Sequence, residues 1–146
     1  MPQVTARELV RFLKTQGFVE DRQAGSHLTL WHAERNLSVT IPMHTASECF
    51  IHLFSSETYQ AFADSSRSIS GFRLRHKTTA ERVSRGDLLV CYLSRLSRWF
   101  GLLEVLEGPF IDHNPIFVPE NDPFAVRFRV LAKVWLEYEK GIPIQV

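Results

Sequence analysis

The chain has 146 residues, of which 45% are hydrophobic and 23% are charged, a composition typical of a globular protein rather than of a disordered one. The sequence has no apolar run as long as a membrane span, and residues 1–16 carry charges where a signal peptide needs an apolar stretch. We therefore expect a soluble, cytoplasmic protein.

The formal net charge of +1 hides an uneven distribution of charge along the chain. Residues 67–98 contain eight basic and two acidic residues, whereas residues 104–122 contain five acidic residues and no Lys or Arg. We call residues 67–98 the basic block. Its charge favours contact with a polyanion, although a solvated surface offset by neighbouring acidic residues has the same pattern.

A helix is predicted to begin at Thr5, because Thr5 and Glu8 have the spacing of a capping box. Apolar side chains then recur at helical spacing, and Gly17 is expected to end the helix. Another face carries basic residues at positions i, i+4 and i+7, a stripe that fits either phosphate contacts or a solvated surface. The stripe consists of Arg7, Arg11 and Lys14.

Beyond this helix the apolar pattern changes to alternation, which is typical of strands. Three strands are predicted, over residues 18–23, 26–32 and 37–41. The apolar side chains of the second and third strands are expected to pack beneath the helix, so that His27 and Trp31 point the other way. His27 and His32 are five residues apart and fall on opposite faces of a regular strand, which argues against a two-histidine site.

The rest of the chain has short apolar runs separated by turn residues. Strands are predicted over residues 49–54, 88–93, 99–106 and 124–136. A helix is predicted over residues 56–64, a turn over residues 84–87 and a loop over residues 112–123. Gly108 and Pro109 are expected to end the strand before that loop. Many short strands with few helices indicate a small, partly closed barrel.

The two cysteines, Cys49 and Cys91, lie far apart and form no CxxC pair. The sequence therefore predicts two buried free thiols rather than a disulfide or a zinc site.

Several motifs occur together in residues 8–44. They are Gly17-Phe18 at the helix end, the turn Gly25-Ser26-His27, His32 five residues on, and Val-Thr-Ile-Pro-Met-His at residues 39–44. With these motifs the segment resembles the HicA-type mRNA interferase toxins, small proteins with a double-stranded-RNA-binding-like fold. The resemblance implies that His27 is catalytic and that a HicB-like antitoxin is a partner. The family continues into a second helix, whereas residues 45–48 lead into a strand here, so either the module is truncated or the next domain replaces that helix.

Residues 49–146 carry a looser set of segments. They are Phe-Ile-His-Leu-Phe-Ser at 50–55, Ile-Ser-Gly-Phe-Arg at 69–73, Gly-Asp-Leu-Leu-Val-Cys-Tyr at 86–92, Trp-Phe-Gly-Leu-Leu-Glu-Val at 99–105 and Phe-Ala-Val-Arg-Phe at 124–128. With these segments the second part resembles the EVE branch of the PUA-like barrels, whose relatives include readers of methylated adenine. The resemblance implies a barrel that binds a single base.

RNA can be cut without a metal ion when one group removes the 2′-hydroxyl proton and another protonates the leaving oxygen. Histidine suits both tasks because its ordinary pKa lies near 6.5. His27 is our candidate, the alternative being an exposed histidine without function. Trp31 is expected on the same face, where it either stacks on a base or packs against the second domain. His32 and His44 are interpreted as structural, and the sequence predicts neither a cofactor nor a metal site.

Readers of modified bases hold an extruded base between aromatic walls and contact its edge with polar groups. The aromatic candidates are Phe72 and Phe117 as walls on loops, with Tyr92 or Trp99 as the floor. The polar candidates are Ser55, Ser70, Arg73 and Asn121. For each aromatic residue the alternative is a place in the barrel core. The nearby cations Arg73, Arg75 and Lys77 are expected to hold the phosphate backbone.

Together these patterns predict an α+β protein, with a small α-β-β-β double-stranded-RNA-binding-like module over residues 1–45 and a PUA-like β-barrel with short helices over residues 46–146. The predicted function is a metal-independent endoribonuclease module coupled to a base reader, acting on RNA or modified DNA without membrane association. Two alternatives remain open. One is a non-enzymatic binding protein whose first module is an accessory RNA-binding surface, and the other is a barrel that binds a small metabolite.

Overall fold

The structure is a computed structural model and describes residues 3–43, 48–95, 97–114, 116 and 124–143. Its helices and strands, in chain order, are β1 Gln3–Val4, α1 Ala6–Thr15, β2 Val19–Ala24, β3 His27–His32, β4 Leu37–Pro42, β5 Cys49–Phe54, α2 Ser56–Asp64, β6 Ile69–Phe72, α3 Lys77–Ala80, β7 Leu88–Leu93, β8 Arg98–Ile111, β9 Val126–Trp135 and β10 Ile142–Pro143. Within the described ranges, no helix has the length and apolarity to cross a membrane.

The first helix has the boundaries that its end residues predict. Thr5 is the N-cap, and its hydroxyl accepts a hydrogen bond from the Glu8 amide at 3.0 Å and donates one to the Glu8 carboxylate at 3.2 Å. The carboxylate thus returns to the Thr5 hydroxyl rather than to its backbone amide. Gly17 follows the helix with a φ of +96°, and a Cβ there would lie 2.9 Å from Nε2 of His32. Both the conformation and the close approach therefore require glycine.

The predicted meander forms a three-stranded antiparallel sheet in the order β2-β3-β4. Leu28 pairs with Ile41, and Leu30 pairs with Val39. These four side chains are buried in one cluster with the apolar residues of α1. The prediction that they pack beneath the helix is confirmed.

The remaining strands form a larger sheet in the order β1-β5-β7-β8-β9-β6, with β10 paired to β8. Strands β5 and β7 are parallel, and the other neighbours are antiparallel. β5, α2 and β7 have the predicted boundaries. The start of α2 is explained by Ser55, which caps the helix because its hydroxyl accepts a hydrogen bond from the Thr58 amide at 3.1 Å.

The strand predicted to end at residue 106 instead continues to Ile111. Gly108 and Pro109 lie inside β8, which follows β9 with three shifts of register. Gly108 has a φ of +124°, and a Cβ there would lie 2.7 Å from the Arg127 carbonyl oxygen. Glycine therefore lets the two backbones stay close where the register shifts, rather than ending the strand.

Arg127 also departs from the alternating pattern of β9. Alternation with valine and phenylalanine places it on a polar face, but its side chain is 3% exposed and forms an ion pair with Asp112 at 3.2 Å. This buried cation is compensated by a carboxylate from the chain that follows β8.

The two sheets share one apolar cluster. It combines residues of α1, β3 and β4 with Cys49, Leu88, Trp99, Val134 and others from the larger sheet. Apolar side chains of the larger sheet thus contact the helix and the small sheet. The division into units over residues 1–45 and 46–146 remains a proposal.

The larger sheet is not a closed barrel in the described part of the chain. β1 pairs only with the first two residues of β5. Along the rest of that edge, no described strand pairs with β5. There β5 meets β6, the last strand in the sheet order, through side chains. Nε2 of His52 on β5 lies 2.7 Å from Oγ of Ser70 on β6. The two edges are therefore close together, although the predicted PUA-like barrel is unconfirmed.

Candidate functional site

His27 begins β3, directly after the turn at Gly25 and Ser26. Gly25 has a φ of +59°, which suits a tight turn between β2 and β3. The His27 side chain is exposed, and within the described residues its imidazole has no hydrogen-bond partner. It therefore projects freely from the hairpin, as the strand pattern predicts.

His27 lies on the face of the small sheet that points away from α1, which we call the outer face. Residues paired across neighbouring strands share a face. The register therefore places on the outer face the three rows Ala24–His27–Pro42, Arg22–Thr29–Thr40 and Val19–Trp31–Ser38. Trp31 is half-buried and Val19 is exposed, so the row two places along the strands from His27 gives the outer face an aromatic and an aliphatic surface.

Arg22 is the outer-face residue that the sequence analysis missed. It pairs with Thr29, one row away from His27, and its side chain is exposed. A bulge at Asp21 shifts the register of β2, so simple alternation along the sequence gives the wrong face for residues beyond it. Only the pairing with β3 reveals that a cation accompanies the histidine.

The basic stripe Arg7, Arg11 and Lys14 is exposed but does not join this face. It lies on α1, which covers the opposite face of the small sheet. Lys14 is also paired with Glu20 at 3.1 Å. The structure thus separates the stripe from His27 and Trp31.

His32 is held inside the protein. Its Nε2 lies 3.0 Å from the Gln16 carbonyl oxygen, and its Nδ1 accepts a hydrogen bond from the Arg35 amide at 3.2 Å. Its ring also meets the Phe18 ring edge-on, with centroids 5.0 Å apart. These contacts agree with the structural interpretation of His32. His44 lies outside the described residues.

The basic block and the acidic stretch do not neutralise each other in the described part of the chain. The acidic residues are paired with cations of β9, namely Glu104 with Lys133, Glu107 with Arg129 and Asp112 with Arg127. None of the described cations of the basic block forms an ion pair with a carboxylate within 4 Å. Seven of its eight cations are exposed and Arg98 is half-buried, so most of the positive charge of the block faces solvent.

A cavity of about 180 Å³ lies where the edge of β5 meets β6, and we call it the β5–β6 cavity. Its walls are Ile51, His52, Leu53, Gly71, Phe72, Arg73, Arg75, His76 and Phe124. The Arg73 guanidinium lies 4.7 Å from the centroid of the Phe124 ring, a cation–π contact. The cavity thus combines aromatic walls with two cations of the basic block, while Lys77 is exposed in the next turn.

The predicted base-pocket residues are distributed over three places. Phe72 lines the β5–β6 cavity as the last residue of β6 rather than from a loop, and Ser70 is fully buried beside it. Ser55 lines a different cavity of about 250 Å³ with Arg95 and Tyr138.

Trp99 belongs to neither of these cavities. It is fully buried in the cluster shared with α1 and lines a third cavity beside that helix, and Tyr92 is half-buried on β7. The structure therefore does not bring Phe72 and Trp99 together as wall and floor of one pocket. Phe117 and Asn121 lie outside the described residues.

The sequence analysis did not identify two residues that line the β5–β6 cavity, Phe124 and His52. Phe124 was predicted only as the start of a strand, and His52 resembles a core residue because it sits in an apolar run. Burial lowers the pKa of His52 to about 3, so its imidazole is neutral at physiological pH.

Both cysteines are free and buried, as predicted. Burial raises the pKa of Cys49 to about 12 and that of Cys91 well above its ordinary value. Neither thiol is therefore poised as a nucleophile. No cluster of potential metal ligands occurs among the residues that the structure describes.

Residues 6–55 match the family model described as the HicA toxin of bacterial toxin–antitoxin. The match covers α1, the small sheet and β5, and it contains His27, Arg22 and Trp31. None of the curated proteins matches the chain. The match supports a HicA-like N-terminal module of the toxin–antitoxin type, while the EVE-like interpretation of the rest stays a prediction.

Proposed function

We propose that the chain is a nucleic-acid-targeting protein whose HicA-like part cleaves RNA through His27 and whose second part holds a single base in the β5–β6 cavity. The observation that carries the cleavage proposal is an exposed histidine on the outer face, inside the segment that matches the toxin family. The second part would bring a particular stretch of nucleic acid to this face. A HicB-like antitoxin is the partner that would restrain the cleavage.

His27 would act as the general base. Its imidazole takes the proton of a 2′-hydroxyl, whose oxygen attacks the adjacent phosphorus while the bond to the 5′-oxygen breaks on the opposite side. The 5′-oxygen leaves with a proton from solvent water and His27 returns its own proton to solvent, so the products are a cyclic phosphate and a free 5′-hydroxyl. Arg22, one row away, would hold the phosphate, and Trp31, two rows away, would offer a ring on which a base can stack.

The β5–β6 cavity supports the base-binding part of the proposal by its size and lining. An apolar protein cavity of about 150 Å³ accepts benzene, so a cavity of about 180 Å³ suits one planar ring system. Phe72 and Phe124 provide aromatic contacts, and Arg73 and Arg75 can meet the phosphates of the strand that carries the base.

The basic block is expected to contribute affinity without sequence preference. In the variant Arg73→Glu/Arg75→Glu, RNA binding should weaken on every sequence, and the slope of log affinity against log salt should flatten by about 1 to 2, because about one counterion is released for each phosphate contact. Filter binding or fluorescence anisotropy over a range of salt concentrations measures both quantities.

A matched control for that experiment is Arg129→Glu/Lys133→Glu. These residues are paired with Glu107 and Glu104 on β8 and lie outside the basic block. The control changes the net charge equally, so a general effect of charge would weaken both variants alike. An equal loss in both variants would mean that the basic block is only a solvated surface.

A second candidate function is RNA binding without cleavage. Residues 49–54 favour this candidate. They lie inside the matched segment, but they form a strand of the larger sheet, whereas the family is expected to continue into a helix at this point. If that helix is needed to complete the active site, the HicA-like module would serve only as an accessory RNA-binding surface. Binding of labelled RNA by the wild-type protein with no cleavage would favour this candidate.

A further inference from the structure

His52 carries a buried polar atom without a partner. Among the described residues, two buried side-chain nitrogens lack a hydrogen-bond partner, Nδ1 of His52 and Nε1 of Trp99. His52 is 3% exposed and lines the β5–β6 cavity. Buried polar groups are nearly always hydrogen-bonded, and Nδ1 is covered in the ligand-free chain, so we expect it to gain a partner when a molecule enters this cavity and the wall around His52 adjusts.

The imidazole ring is fixed in orientation by its neighbours. The Phe72 ring lies against it with centroids 4.2 Å apart, and the Phe54 ring lies against it at 4.3 Å. Nε2 is already bonded to Oγ of Ser70 at 2.7 Å. Nδ1 is therefore the polar atom of this ring that still lacks a hydrogen-bond partner among the described residues.

The hydrogen-bond inventory decides which nitrogen carries the proton. A neutral imidazole has one N–H, and burial keeps the pKa of His52 near 3, so the ring is neutral. If Nε2–H donated to Ser70, both the Ser70 hydroxyl proton and the Nδ1 lone pair would lack partners among the described residues. If Ser70 donates to Nε2, only Nδ1–H lacks one. The second arrangement leaves fewer buried groups unpaired and makes Nδ1–H a donor.

We propose that His52 is the specificity-determining residue of the β5–β6 cavity, where its Nδ1–H donates a hydrogen bond to an acceptor on the edge of a bound nucleobase. The ligand class is therefore a planar base that presents a carbonyl oxygen or an unprotonated ring nitrogen at this point. If a base presented an amino group there, two donors, the amino group and Nδ1–H of His52, would face each other without an acceptor. This inference rests on the proposed base-binding function.

The rest of the lining agrees with an acceptor-bearing ligand. The other charged or titratable side chains at the described walls are Arg73, Arg75 and His76, and no carboxylate is among them. All of these groups can donate hydrogen bonds, and the two arginines are always charged. The cavity thus supplies donors to both the base edge and the phosphates.

The test measures the binding of free ribonucleosides to the full chain by calorimetry or NMR. Each of the four nucleosides is paired with analogues in which one ring nitrogen becomes C–H or one carbonyl oxygen becomes sulfur, a weaker acceptor. For the preferred nucleoside, the wild-type protein is expected to lose about tenfold in affinity when the contacted acceptor is replaced. Replacement of the other acceptors should have little effect.

The variant His52→Phe/Ser70→Ala removes both polar partners while keeping a ring between Phe54 and Phe72, so that no buried group is left unpaired. This variant is expected to bind the preferred nucleoside about tenfold more weakly than the wild type does. It should bind that nucleoside and the analogue lacking the contacted acceptor with equal affinity. His52→Leu/Ser70→Ala serves as a second variant if phenylalanine does not fit. Ser70→Ala alone retains the imidazole but removes the donor that keeps its proton on Nδ1, so the loss of affinity on replacement of the contacted acceptor is expected to be smaller than in the wild type.

The outcomes separate the two levels of the proposal. If a nucleoside binds and the His52 variants discriminate between it and its analogues as the wild type does, the role of His52 is wrong while the base-binding function stands. If no nucleoside perturbs the residues of the cavity, base binding itself is wrong, and the inference about His52 fails with it.

Discussion

Replacement of His27 by alanine is expected to reduce RNA cleavage by about 10²- to 10⁴-fold, the usual contribution of a positioned general acid or base. RNA affinity should change little, because the cations that can meet phosphates, such as Arg22, remain. The measurement is the rate of cleavage of labelled RNA under single-turnover conditions, together with Kd for an RNA whose 2′-hydroxyls are blocked. The expected loss therefore falls on the chemical step rather than on binding.

His113 provides a matched control for this variant. It is an exposed histidine that follows β8, outside both the outer face and the β5–β6 cavity. His113→Ala should cleave RNA at the wild-type rate. Cleavage by His27→Ala within a few-fold of wild type would rule out His27 as the catalytic group, and abolition of wild-type cleavage by a metal chelator would contradict a metal-independent mechanism.

The N-terminal module could be predicted from sequence because its signals are local. Capping by Thr5, the stop at Gly17 and the period-two strands each depend on residues a few positions apart, and all appear in the structure. In contrast, Gly108 occurs inside β8 because β9, a distant segment, approaches it closely. A glycine needed for close packing and a glycine that ends a strand have the same local pattern.

The candidate sites depended even more on long-range pairing. Nothing near His52 in sequence marks it as a site residue, since its bonded partner Ser70 lies on the strand at the other end of the sheet order. The sheet also assigns Phe72 and Trp99 to different apolar clusters, which alternation within single strands cannot predict. Arg22 joins the outer face only because a bulge shifts the register of β2.

Acidification is expected to destabilise the protein through His52. The ordinary pKa of histidine is 6.5, whereas burial lowers the pKa of His52 in the folded protein to about 3. Between these values the unfolded chain binds a proton that the folded protein does not bind. The free energy of unfolding therefore has its full value above pH 6.5 and decreases as the pH falls toward 3, at up to about 1.4 kcal/mol per pH unit from this residue.

Urea unfolding at about pH 7.5 and about pH 4.5 measures this effect as the difference between the wild type and His52→Phe/Ser70→Ala. At the lower pH the wild type should lose about 2 to 3 kcal/mol more than the variant does, because the variant has no buried imidazole to protonate on unfolding. Other titrating groups, including His76 at the cavity wall, are present in both proteins, so their contributions cancel in the comparison. Ser70→Ala should retain the wild-type pH dependence, because burial rather than the Ser70 hydrogen bond lowers the pKa. An equal pH dependence in the wild type and the double variant would mean that His52 is not held neutral in the folded protein, and the donor assigned to Nδ1 would lose its physical basis.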